Sequence, residues 1–161
     1  MVGGKSSVRL VDSTRANLDD SIGKSEINSL VETPELKVVQ TSSPVMGSTW
    51  DPLNDRLFSR RPDVQLRIYG HYSTECDLNF ARKMTNVRNF AADCLMTAAN
   101  VESIAEIPDL QSLSLGIFGL EDFGVLEQVS PGLVWRHSLG SRSYRGSTLK
   151  ATPRTSRFWG I

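Results

Sequence analysis

Cysteine and histidine are scarce in this chain, with two of each in 161 residues. Two thiols do not make a disulfide scaffold, which needs several bridges to stand in for a core. With imidazole limited to His71 and His137, general-base chemistry has few residues to draw on. A charge excess is also missing, since 18 Lys and Arg balance 18 Asp and Glu. That argues against a general nucleic-acid binder, whose affinity comes from cations neutralising phosphates. No apolar run approaches the ~18–20 residues needed to cross a bilayer. The opening Met1-Val2-Gly3-Gly4-Lys5-Ser6-Ser7 lacks the apolar stretch of a secretory signal. These absences predict a soluble, cytoplasmic protein with no membrane partner.

Motifs of common chemistries are absent too. There is no G-x-S-x-G elbow, and glycines 116, 119 and 124 do not make G-x-G-x-x-G. No Gly-Lys-Ser/Thr phosphate loop is expected after a strand. His71, Cys76 and Cys94 lack the tight paired spacing of a structural zinc site, and both cysteines read as small buried hydrophobes. A Cys94–His71 dyad has nothing to supply an oxyanion hole or to lower the thiol pKa. The pairs Asp51/Asp55 and Glu102/Glu106 have helical spacing and read as solvated charges, as does Glu121/Asp122. The expectation is no enzyme, no metal and no cofactor.

The neutral total hides a division. From Arg136 to Ile161 there are six basic residues and no acidic one, which leaves residues 1–135 with 12 basic against 18 acidic. An acidic body with a basic tail follows. Residues 1–34 are rich in Ser, Asp, Asn and Gly and read as a flexible lead-in. They hold at most one short helix, carrying Ile27, Leu30 and Val31 and ended by Pro34. Residues 141–161 read as a disordered basic tail, and nucleic acid is an unexpected partner, since only the basic stretch 136–161 could contribute to binding one.

Between them the chain repeats. Pro62-Asp63-Val64-Gln65-Leu66-Arg67-Ile68-Tyr69-Gly70 is echoed in Pro108-Asp109-Leu110-Gln111-Ser112-Leu113-Ser114-Leu115-Gly116 and again from Pro131. Taking Val64, Val87, Leu110 and Val134 as equivalent gives steps of 23, 23 and 24 residues. In the same phase, Leu78, Ala81 and Met84 lead into Val87, and Val101, Ile104 and Ile107 lead into Leu110. Each unit reads as a short strand, a loop and a turn of α- or 3₁₀-helix with apolar residues every third position. Leu36–Gln40 reads as an earlier strand, and 50–58 as its helical segment. One unit cannot bury its stripe alone, so the units are expected to stack and to share a core of Phe90, Leu113 and Leu115.

Val87, Phe90, Ala92 and Leu110, Leu113, Leu115 fit the strand core L-x-x-L-x-L. The chain here resembles leucine-rich repeat proteins, in particular irregular bacterial ones, over residues ~36–140. The resemblance implies an α/β solenoid over 35–140, with about four units of short parallel strands and helical or 3₁₀ convex segments between flexible termini. The pattern breaks after about residue 135, as though a longer array were truncated or altered there. The strand residues between core positions would then line the concave face. Gln65, Arg67, Tyr69, Arg88, Asn89, Gln111, Ser112 and Ser114 are the candidate partner-binding residues. Tyr and Arg are common interface anchors. The expected function is a non-enzymatic module that binds another protein. The alternatives are a fragment of a longer repeat protein with no binding of its own, or a regulatory subunit of an enzyme.

Overall fold

Alternating apolar and polar residues form strands here, and they assemble into one seven-stranded sheet. The computed structural model describes residues 8–19, 22–118, 120, 124, 129 and 134–137, the last four as backbone. In sheet order the strands are β1 (Val8–Asp12), β2 (Arg15–Leu18), β3 (Val38–Thr41), β4 (Gln65–Tyr69), β6 (Asn89–Leu95), β8 (Ser112–Ile117) and β9 (Val134–His137). Two short strands, β5 (Cys76–Asp77) and β7 (Ala98–Ala99), pair in parallel as a second sheet. β1 and β2 run antiparallel, and every later pair in the main sheet is parallel.

This corrects the expected all-parallel α/β solenoid. The sheet is mixed, and helix is scarce. The longest α-helix among the described residues, α1 (Lys24–Val31), has eight residues. The departure begins within the stretch read as a lead-in, where polar residues build a tight turn rather than a flexible arm. Asp12 Oδ1 accepts from the Thr14 amide and hydroxyl, both at 2.7 Å, and β1 turns back on β2. A repeat counted from Val64 onward does not sense that turn. The proposed tail, 141–161, lies outside the described residues.

Strand alternation places the core. Leu66 and Ile68 on β4, Phe90 and Ala92 on β6, and Leu113 and Leu115 on β8 are buried on one face. Ala16, Leu18 and Val39 continue that face to β2 and β3. The segments between strands close over it with Ile27 and Leu30 of α1, Leu53, Leu57 and Phe58, Ala81 and Met84, and Ile104. Glu26 Oε2 accepts from the Gly23 amide at 2.8 Å and caps the start of α1.

The helical stretch 47–58 passes from 3₁₀ through one α-turn to π geometry, with the Ser59 amide donating to the Asn54 carbonyl five residues back at 3.1 Å. Within it, buried Asn54 accepts from the Asn86 amide at 2.8 Å and donates to Thr85 Oγ1 at 3.1 Å. That asparagine satisfies backbone which the neighbouring loop would otherwise leave unpaired.

Candidate interaction face and adjoining cavity

The face opposite the core carries the polar half of each strand. Parallel register lines up Arg15, Val38, Gln65, Asn89 and Ser112 in one row, and Asn17, Gln40, Arg67, Ala91 and Ser114 in the next. Tyr69 and Asp93 begin a third. Six of the eight sequence candidates therefore share this face: Gln65, Arg67, Tyr69, Asn89, Ser112 and Ser114. The other two lie at its margin, just ahead of the strands. Arg88 donates to the Pro108 carbonyl at 3.1 Å and pairs with Asp109 at 3.1 Å, tying two loops together. Gln111 is exposed, and its amide donates to the Arg88 carbonyl at 2.7 Å.

The face is wired internally by side chains that sequence reasoning missed. Gln40 Nε2 donates to Asn17 Oδ1 at 2.7 Å, and Arg67 Nη1 donates to Gln40 Oε1 at 3.1 Å. Arg67 then forks onto Asp93, with Nη2 to Oδ1 at 2.7 Å and Nε to Oδ2 at 3.0 Å. The result is one hydrogen-bonded line across β2, β3, β4 and β6. The guanidinium also sits over the Tyr69 ring, 4.6 Å from its centroid. In the outer row Ser112 Oγ donates to Asn89 Oδ1 at 2.8 Å, and Asn89 Nδ2 donates to the Pro62 carbonyl at 3.0 Å.

The available signal for Asn17 and Gln40 was their 23-residue separation and their place between apolar neighbours. Asp93 lay one alternation beyond Ala91. Its carboxylate raises the pKa of the Arg67 guanidinium still further, through the hydrogen bonds first and desolvation against them second.

At the carboxyl ends of β3 and β4 the chain opens a cavity of about 390 Å³. Gly70 ends β4 with φ +68°, left-handed geometry that favours glycine. His71 follows it, 5% exposed, with neither ring nitrogen hydrogen-bonded to a described residue. Thr41, Ile68, Trp50 and Phe80 line the cavity with it, and Cys76 forms part of the far wall. Trp50 and Phe80 stack with centroids 4.0 Å apart and planes 13° from parallel. Burial pushes the His71 imidazole below its ordinary value, so the neutral ring is favoured.

Burial, helped by the charge of Asp77, pushes the Cys76 thiol up to about 11. Near neutral pH that sulfur holds its proton and is a poor nucleophile. Cys94 is exposed, while His71 is buried without a partner, so the two do not form a dyad. Among the described residues no three His, Cys, Asp or Glu side chains cluster as metal ligands. The Glu102/Glu106 pair, read as solvated charge, reaches Arg82 at 3.9 and 3.1 Å.

Gly23-Lys24-Ser25 does follow a strand, β2, and opens α1. Leu18 stands where a phosphate loop needs its first glycine, and Glu26 already takes the Gly23 amide. No helix among the described residues is long and apolar enough to cross a membrane.

No family model, curated protein or solved structure matches the chain.

Proposed function

We propose that this chain is a non-enzymatic module that binds another protein through the polar face of its sheet. The observation that carries the reading is the held geometry around Tyr69. Its ring packs under a guanidinium that is itself forked onto Asp93. An aromatic and an arginine fixed before binding lose little side-chain freedom when a partner docks, and that is the economy of a preorganised interface. Gln65, Asn89, Ser112 and Ser114 surround them with short polar groups that can donate and accept. Docking on this face needs no cofactor. The two free cysteines, one of them exposed, suit a reducing cytoplasm as the place of work.

The test is the affinity of the captured partner for face variants. Tyr69→Ala is expected to weaken binding by about tenfold or more while leaving the thermal midpoint nearly unchanged. Glu102→Ala, on the side that packs away from the face, is expected to bind as the wild type. Equal losses from both would remove the face from the account.

A further inference from the structure

We propose that the cavity at the carboxyl ends of β3 and β4 is a binding site for a small uncharged molecule with an aromatic body and one hydroxyl group, held at His71. This site is separate from the polar face, since none of that face's residues lines it. Three observations converge on it.

The first is place. In open sheets with parallel strands, ligands settle outside the carboxyl ends, where the connecting loops diverge. Here the loops leaving β3 and β4 diverge around about 390 Å³, within the range of small-molecule sites.

The second is the polar group. His71 lines the cavity, is 95% shielded, and has no hydrogen-bond partner on either ring nitrogen among the described residues. A buried polar side chain left unpaired costs stability, and proteins retain few of them. Three of the other polar side chains around it are already engaged. Thr41 donates to the Ser43 carbonyl at 2.7 Å, Asp77 accepts from the Asn79 amide and from Asn100, and Lys83 pairs with Asp51 at 3.1 Å.

The third is the chemistry of the walls, which sets the ligand class. Trp50, Phe80 and Ile68 present aromatic and branched apolar surface that suits a flat hydrocarbon body. Neutral imidazole offers one acceptor and one donor, and a hydroxyl is the smallest group that complements either. Anions meet no unengaged cation here, because Lys83 is held by Asp51 and the rim carries the carboxylates of Glu75 and Asp77.

Phenol is the probe, added to the full chain at pH 7.5 and followed by NMR of the His71 imidazole and the Trp50 indole. Saturable shifts of both signals are expected. Fluorobenzene, of the same size without a hydroxyl, should bind about threefold to tenfold more weakly, the usual worth of one hydrogen bond. Benzoate should bind more weakly still. His71→Phe should remove the preference for phenol over fluorobenzene. That comparison is read only on folded protein, and the wild-type comparison of the two probes stands without it. Shifts at neither residue, equal affinity for phenol and fluorobenzene, or tighter binding of benzoate would each overturn the assignment.

Discussion

Arg67 grips both carboxylate oxygens of Asp93, at 2.7 and 3.0 Å, from the neighbouring strand. Register places Asp93 beside Tyr69 rather than beside Arg67, so the guanidinium reaches diagonally along the face and passes over the Tyr69 ring. One residue thus joins the polar line through Gln40 and Asn17 to the aromatic group proposed to meet a partner.

That arrangement makes Asp93→Ala expensive. The two side chains are 25% and 11% exposed, so removing the carboxylate leaves a half-buried cation without its counter-charge. A loss of about 3 kcal/mol in urea unfolding is expected. In a double-mutant cycle with Arg67→Ala, the double variant should lose clearly less than the sum of the singles. The exposed pair Lys83–Asp51 serves as the comparison, and Asp51→Ala should change stability by no more than about 0.5 kcal/mol.

Gln40 is 4% exposed and bonded on both sides. Gln40→Leu keeps much of the volume but strips partners from Asn17 Oδ1 and Arg67 Nη1. A destabilisation of about 1–3 kcal/mol should appear in the same unfolding experiment. Little or no loss would mean that the line across β2, β3 and β4 is not closed in solution.

The core side of the strands was legible because strands alternate with period two. Leu66/Ile68, Phe90/Ala92 and Leu113/Leu115 stand where alternation puts them, all buried. The residues facing one another across successive parallel pairs are 23, 27, 24, 23 and 22 apart from Arg15 through Val38, Gln65, Asn89 and Ser112 to Val134. Periodicity therefore tracked the order of neighbouring strands but not their register, since Val134 faces Ser112 rather than Leu110, and it was blind to direction. Whether β1 turns back depends on two hydrogen bonds from Thr14 to Asp12, which no hydrophobic pattern records. The same limit explains the site. Alternation placed Gln65, Arg67 and Tyr69 on one face, but it could not show that Arg67 spends its donors on Gln40 and Asp93. The cavity was invisible, because it is made by loops from three stretches of chain and by a histidine with no neighbouring motif.

Leu113, 1% exposed at the centre of the apolar face, tests the packing. Leu113→Ala is expected to cost about 2–5 kcal/mol by chemical denaturation. A loss under about 0.5 kcal/mol would place that side chain at the surface.

The pH dependence follows from His71. Its folded-state value lies below the ordinary 6.5 because burial penalises the charged ring. Above that ordinary value both folded and unfolded chains carry the neutral ring, and the group does not affect stability. As pH falls below 6.5 the unfolded chain takes up the proton first, so stability drops until the folded value is passed. Glu75, Asp77 and Lys83 line the same cavity, but burial is what moves His71. Urea midpoints between pH 7.5 and pH 5 should decline for the wild type and decline less for His71→Phe. Parallel curves would show that the imidazole is not desolvated.

The central claim is that the polar face meets another protein. Photocrosslinking in the cells that make the chain tests it most directly, with a benzophenone amino acid placed at position 65, 69 or 114 and, as controls, at 102 or 106. The account predicts that the three face positions crosslink to the same protein and that the controls do not. Crosslinking from 102 and 106 with none from 65, 69 and 114 would contradict it.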